Sequence, residues 1–298
     1  MTPARHETPR VGFVGLGVMG RPMARRILGA GFTLTVSSRS AAAVGELTNA
    51  GASAATSPAE VARLVDILIV MVPDTADLEA VLDGPAGVLA GAHDGLIVCA
   101  MGTHLPAAMP PLAERCSGRD CVLLDAPVSG GEIGAADGTL SIMVGGDAAA
   151  VERARPVLDA MGRSVVRIGG PGAGQLAKAC NQLIVGATIA AVAEALALAR
   201  AAGVDPAIVR DALAGGFAAS RVLEVHGRRM LERDFAPGGR AALHAKDAHI
   251  ILDTAATLGL DLPVFPAVAA AFDRLVAEGG GELDHSALIT LLDDAPRV

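Results

Sequence analysis

The apolar run Val11-Gly12-Phe13-Val14 leads straight into Gly15-Leu16-Gly17-Val18-Met19-Gly20, and the helical pattern of residues 22–30 follows. A strand that ends in G-x-G-x-x-G and turns into a helix is the arrangement that seats a dinucleotide pyrophosphate. Each glycine has its own reason. Gly15 permits the tight turn, Gly17 lets the backbone approach phosphate without a Cβ, and Gly20 lets the helix lie close on the strand. The helix N-terminus then turns oriented N–H donors toward the anion. The spacing alone occurs in many glycine turns; the strand before it and the helix after it give it force. Gly15, Leu16, Gly17, Val18, Met19 and Gly20 are therefore candidate cofactor contacts.

The rest of the first half fits that start. Apolar β-rich runs recur at residues 33–36, 67–72, 96–98, 122–124, 141–144 and 165–168, with helical stretches such as 58–64 and 148–161 between them. Alternating β and α signals predict an α/β, Rossmann-type, doubly wound parallel sheet, with ligands at the carboxyl ends of its strands near the switch point. The pattern breaks at Gly169-Gly170-Pro171-Gly172-Ala173-Gly174, and strand signals fade beyond it. One long helix is expected at 175–202, and shorter ones at 206–214, 220–233, 243–258, 266–278 and 285–292. The expected organisation is a disordered lead-in at 1–10, a nucleotide-binding domain at 11–170 and an all-helical substrate and dimerisation domain at 171–298. The long helix is apolar nearly all round, which predicts burial between helices or against a second subunit, hence a homodimer or homotetramer.

Composition narrows the partners. The net charge is −8 with no long basic run, which argues against nucleic acid and against an anionic membrane surface. The longest apolar stretch, residues 183–199, carries Glu194 and is Ala-rich, so no segment is expected to span a membrane. Cys99, Cys116, Cys121 and Cys180 lack zinc spacing, and no secretory signal precedes the first strand. A cytoplasmic, reducing setting and no metal are the expectations, with Cys180 a buried small hydrophobe.

Chemistry concentrates at four places. After the second strand, where NAD-binding chains carry an acid for the ribose hydroxyls, this chain has Ser38-Arg39. Arg39 can pair with a 2′-phosphate, so NADP(H) is favoured over NAD(H). Val72 and Pro73, at the end of the next strand, should flank the cofactor with their backbone. Lys178 and Asn181 stand three apart at the start of the long helix, on one face, with Gln182 able to support it. A lysine among small apolar neighbours has its ammonium form disfavoured, which suits proton exchange near neutral pH. A lysine at a helix start can equally just snorkel to solvent. Ser129-Gly130-Gly131, after an apolar strand, offers a hydroxyl and free N–H groups to a carboxylate.

In order along the chain, GLGVMG, DAPVSGGEIGAADGTLSIMVGG, GAGQLAKACNQ and LHAKDAHI resemble the motifs of the β-hydroxyacid dehydrogenases over residues 11–292. The resemblance implies an NAD(P)-dependent oxidoreductase acting on a small anionic hydroxy acid or its aldehyde acid. It implies Lys178 as general acid and base and Asn181 as the residue orienting substrate. Ser129, Gly130 and Gly131 would hold the carboxylate, Thr103 would touch cofactor and substrate, and Lys246 would reach the cofactor. The stretches Gly215-Gly216-Phe217-Ala218-Ala219-Ser220, Arg233-Asp234-Phe235-Ala236-Pro237-Gly238 and Asp284-His285-Ser286-Ala287-Leu288 look most like members acting on tartronate semialdehyde (2-hydroxy-3-oxopropionate). Three departures stand against the pattern. Asp-Met-Ser-Ser is here Ala100-Met101-Gly102-Thr103, Pro-Gly-Phe-Arg is Pro237-Gly238-Gly239-Arg240, and Lys-Asp-Leu is Lys246-Asp247-Ala248. These changes would enlarge or re-polarise the substrate site, which keeps 3-hydroxyisobutyrate and threonate open as substrates. From a different class, a non-catalytic NADP-binding assembly module should have lost the lysine, and Lys178 is present. His249 is expected on the surface or packed, and His285 at a helix start capped by Asp284.

Overall fold

The computed structural model describes residues 8–293; the lead-in expected at 1–10 lies outside the described residues as far as position 7. The chain divides into two compact units, one reaching Lys178 and one starting at Ala179.

The first unit is a sheet wrapped on both faces. Its strands are β1 (Val11–Val14), β2 (Leu34–Ser37), β3 (Ser53–Ala54), β4 (Ile67–Val70), β5 (Leu96–Ala100), β6 (Cys121–Asp125), β7 (Val128–Ser129), β8 (Leu140–Gly145) and β9 (Gly162–Gly169). They run in the order β3-β2-β1-β4-β5-β6-β8-β7, with β9 paired to β8. β1 lies parallel between β2 and β4, so the winding reverses there and the switch point falls at its carboxyl end. Alternate residues of one strand feed opposite faces: Ile67 and Ile69 join the cluster of Phe13, Ile27 and Leu124, whereas Leu68 and Val70 join that of Val61, Val98 and Leu112. Such two-sided burial is what near-continuous apolar strands require. The helices are α1 (Gly20–Gly29), α2 (Ala41–Asn49), α3 (Pro58–Leu64), α4 (Thr75–Leu82), α5 (Met109–Ser117), α6 (Gly131–Asp137) and α7 (Ala148–Asp159). Ser40, Ser57, Asp74 and Asp147 cap four of them by accepting a backbone N–H three residues on.

One edge departs from the expected all-parallel sheet. β8 runs antiparallel to β6 and to β7, and parallel order returns only between β8 and β9. Only Ala126-Pro127 separates β6 from β7, and the short α6 joins β7 to β8. That link is too brief for the crossover a parallel neighbour needs.

The second unit is helical. α8 (Ala173–Ala201) begins in the first unit and runs on into this one, followed by α9 (Pro206–Leu213), α10 (Arg221–Glu232), α11 (Ala241–Thr257) and α12 (Phe265–Leu275). Ile189, Leu196, Met230, Phe265, Phe272 and Leu288 lie at its core. The closing segment His285–Leu292 is a 3-10 helix, with Ala287 N–H bonded to the Asp284 carbonyl at 2.8 Å. An 18-residue window of α8 has a mean hydropathy of 1.8 and is 33% buried, so by length and composition α8 could cross a bilayer. The core helix of a soluble protein meets the same measures of length and composition, so they do not overturn the expectation from residues 183–199. Cys180 is also exposed on α8, with Leu176, Ile184 and Leu198, rather than buried. The all-round apolar pattern hid which face the core takes.

Candidate active site

The glycine loop meets the geometry its spacing predicts. Gly15 has φ +97, and a Cβ there would lie 2.2 Å from the Met71 carbonyl oxygen. A Cβ on Gly20 would lie 1.9 Å from the Gly15 carbonyl oxygen and 3.1 Å from Phe13. Gly17 is exposed and nothing lies within 4 Å of where its Cβ would be. Leu16 is buried beneath the loop, and Val18 and Met19 lead into α1, whose first turn carries no acidic side chain. The loop thus presents a bare backbone at the switch point with no carboxylate to repel phosphate, and a dinucleotide fits it.

β2 ends at Ser37, and the Ser38 hydroxyl accepts the Ser40 N–H at 3.3 Å, shaping the turn into α2. Arg39 stands exposed beside it. Nearby Arg21 and Arg25 are both spent on Glu46, but among the described residues no carboxylate pairs with Arg39. β4 stops at Val70, so Val72 and Pro73 lie in the loop before the Asp74 cap rather than on the strand end expected.

The carboxyl end of β6 organises the start of α8. Asp125, 1% exposed, accepts the Gly172 N–H on Oδ1 and the Gln175 N–H on Oδ2, both at 2.8 Å. Burial raises its pKa, and these backbone donors oppose the rise. Gln175, 1% exposed, turns its amide the other way: Nε2 donates to the Gly102 carbonyl and Oε1 accepts the His104 N–H, both at 2.9 Å. Thr103 sits between those two bonded groups. Lys178, 7% exposed, follows on α8. Ser129 ends β7, with Gly130 at φ 135 and Gly131 at φ 62 opening α6. The sequence reading missed Asp125 as the support of α8, Gln175 as a bridge and the buried His104. Only the acid at a strand end facing a glycine break could have hinted at the first. Gly102 also opens no room, since a Cβ there would lie 1.9 Å from the Val72 carbonyl oxygen and 2.8 Å from His104.

In the second unit, polar side chains form a relay. Asn181 Nδ2 donates to Gln182 Oε1 at 2.9 Å, and Gln182 Nε2 donates to Asp247 Oδ2 at 2.7 Å. Lys246 Nζ lies 3.0 Å from Asp247 Oδ1. His249 is exposed and paired with Asp273 at 3.0 Å, as a surface histidine. Asp284 caps the segment that begins at His285, as expected, by accepting the Ser286 N–H, yet the fold also gathers a cluster the sequence hid. His285 lies 3.1 Å from His244 and 3.2 Å from His226, ring nitrogen to ring nitrogen. Ligand atoms of His226, Asp284 and His285 fall within 4.8 Å of one another. The Asp284 carboxylate is already taken by Arg229, by the N–H groups of Gly238, Gly239 and Ser286, and by the Ser286 hydroxyl. Burial pushes the Asp284 pKa up, but His226, His285 and Ser286 outweigh it and hold the carboxyl well below its usual range. The His285 ring also occupies the space beside Gly239, 3.2 Å from where a Cβ would be. Loss of the bulky ring at 239 therefore leaves an imidazole edge there, not a void.

Residues 10–170 match the model for the NAD binding domain of 6-phosphogluconate dehydrogenase. Residues 172–292 match that for the NAD-binding domain of NADP-dependent 3-hydroxyisobutyrate dehydrogenase. The chain belongs to the β-hydroxyacid dehydrogenase family and is an NAD(P)-dependent oxidoreductase acting on a CH–OH group. It is 45% identical over 284 residues to 2-hydroxy-3-oxopropionate reductase of Escherichia coli K12, covering 95% of this chain and 97% of that one. A 3-hydroxyisobutyrate dehydrogenase of Salmonella typhimurium superposes with a TM-score of 0.87 at 34% identity, covering 95% of this chain and 99% of that one. The Mycobacterium tuberculosis 3-hydroxyisobutyrate dehydrogenase solved with L-serine gives a TM-score of 0.86 at 31% identity, covering 96% and 100%.

Proposed function

We propose that the chain is an NADP(H)-preferring reductase of 2-hydroxy-3-oxopropionate, working on this small anionic aldehyde acid and its hydroxy acid in either direction. The observation that carries the substrate is the 45% identity along nearly the whole chain to a reductase of that name. Residues 11–170 bind the nucleotide and 171–298 serve substrate and dimerisation. The bound nicotinamide supplies hydride to the carbonyl carbon or accepts it from the alcohol carbon. Lys178 gives its ammonium proton to the carbonyl oxygen as the alcohol forms, and its neutral amine takes that proton back in the reverse direction. Ser129, Gly130 and Gly131 hold the substrate carboxylate, Asn181 orients the substrate and Thr103 touches both substrate and cofactor. On the nucleotide side act Gly15, Leu16, Gly17, Val18, Met19, Gly20, Val72, Pro73 and Lys246, with Ser38 and Arg39 taking the 2′-phosphate. Arg39, which pairs with no carboxylate among the described residues, and the lack of an acid at the ribose position support the NADP(H) preference. The exposed apolar residues of α8 support a homodimer or homotetramer, and the four free cysteines a cytoplasmic setting.

A second reading keeps the chemistry and changes the acid to 3-hydroxyisobutyrate or threonate. The imidazole edge of His285 beside Gly239 favours threonate of the two, since a polar wall suits a more hydroxylated chain, whereas 3-hydroxyisobutyrate carries a methyl. Initial rates decide between them, with 2-hydroxy-3-oxopropionate reduced and 3-hydroxyisobutyrate, L-threonate and L-serine oxidised, each with both nucleotides. A kcat/KM for 2-hydroxy-3-oxopropionate with NADPH above every other combination supports the proposal. A higher value for another acid defeats the substrate, and faster turnover with NADH defeats the cofactor preference. Tight NADPH binding with no turnover of any acid would return the non-catalytic module.

A further inference from the structure

Gln175 is a buried amide with both ends committed, and neither commitment belongs to a helix or a sheet. Its backbone N–H is held by Asp125 at 2.8 Å, which fixes where α8 begins. Its side chain spans the backbone on both sides of Thr103, donating to the Gly102 carbonyl and accepting the His104 N–H at 2.9 Å each. The loop that carries Thr103 has little other freedom to settle. Gly102 is pressed against the Val72 carbonyl and the His104 ring, and the Leu105 N–H is held by the Thr75 hydroxyl at 2.9 Å. Gln175 also stands three residues before Lys178, so the two project from one side of the helix. One side chain thus couples the start of the helix bearing Lys178 to the loop bearing Thr103.

We propose that Gln175 is a positioning residue for the reaction, holding the Gly102–His104 backbone so that Thr103 is fixed in register with Lys178. The inference rests on the assignment of Lys178 and Thr103 to the reacting site. Gln175 contacts neither hydride nor proton; it acts through Thr103. An amide is the group that fits, because one planar end must give a hydrogen bond and the other must accept one. A carboxylate could only accept, and a thioether of equal length could do neither well.

The test is Gln175→Met, which keeps the length and leaves the Asp125 bond to the backbone in place. Turnover of 2-hydroxy-3-oxopropionate with NADPH should fall about 30- to 100-fold in kcat, as expected when two buried backbone groups lose their partners. NADPH affinity and binding stoichiometry should stay within about threefold, which removes misfolded protein from the comparison. Hydrogen exchange supplies the reading that needs no substrate: the His104 amide should lose protection, while amides of β1 keep theirs. In a double-mutant cycle with Thr103→Ala, the pair should be no more than about threefold worse than the poorer single variant. Unchanged kcat and unchanged His104 protection in a folded Gln175→Met protein would overturn the proposal, as would fully additive losses in the cycle. Should that variant fail to bind NADPH stoichiometrically, Gln175→Asn, which keeps the amide and shortens its reach, is read by the same measurements. Lys178→Ala separates the two levels. Wild-type turnover there sinks the site assignment and this inference with it. Loss there with a wild-type Gln175→Met sinks this inference alone.

Discussion

Gly17 and Gly20 are both glycines of one loop, and the structure predicts opposite consequences for replacing them. At Gly17 nothing lies within 4 Å of an added Cβ, and no left-handed φ is imposed. Gly17→Ala should therefore fold normally, with stability within about 1 kcal/mol of wild type, or about 3 °C in Tm for a chain of this size. Its new methyl stands instead where a phosphate must approach. Losing one charge-assisted backbone contact costs roughly 1.5–3 kcal/mol, so NADPH should bind about 10- to 100-fold more weakly. At Gly20 the added Cβ would lie 1.9 Å from the Gly15 carbonyl oxygen, against ordinary contact at 3.4 Å or more. Backbone cannot yield as a side chain can, so the start of α1 must move and the protein should lose about 1–3 kcal/mol as well as nucleotide affinity. Thermal unfolding and titration of NADPH fluorescence read both effects, and the absence of Trp and Tyr leaves the nucleotide signal clear. Wild-type NADPH affinity in Gly17→Ala would refute the placement of phosphate at this loop.

Two further predictions follow from charge. Arg39→Ala should raise KM for NADPH about tenfold or more and leave KM for NADH nearly unchanged, since a guanidinium–phosphate pair is lost only with the former; equal effects on both would remove Arg39 from the 2′-phosphate. Burial, with His244 and His226 as neighbours, pushes the His285 pKa down from 6.5 to about 3. Below about pH 6.5 the unfolded chain takes a proton that the folded chain refuses, so stability should be level above that pH and decline steadily toward pH 3. The slope from this partly buried group is at most about 1.4 kcal/mol per pH unit, and the depressed Asp284 carboxyl extends the loss below pH 4. Urea unfolding of wild type and His285→Phe from pH 7.5 to 4 measures it; equal slopes would show that His285 does not stay neutral.

Local chemistry made much of this molecule legible in its sequence. The apolar strand runs, the left-handed turn at Gly15, the close approach of Gly20 to Gly15 and the helical second half all depend on neighbours a few residues away. What escaped depends on distance along the chain. The antiparallel edge at β8 follows from the brevity of Ala126-Pro127 and α6, which periodicity does not weigh. Asp125 meets Gly172 and Gln175 only after the sheet has closed, and no pattern announces a carboxylate that caps a helix so far downstream. His226, His244 and His285 come from three separate helical segments and read singly as unremarkable. The face of α8 left exposed could not be told from its covered face, because both carry the same apolar residue types.

Lys178, as the proton donor to the carbonyl oxygen, is the centre of the proposed chemistry. Single-turnover reduction of 2-hydroxy-3-oxopropionate by enzyme preloaded with NADPH, compared between wild type and Lys178→Ala, tests this most directly. The hydride-transfer rate should fall about 10²- to 10⁴-fold with NADPH affinity within about threefold. A rate within about tenfold of wild type would contradict that role.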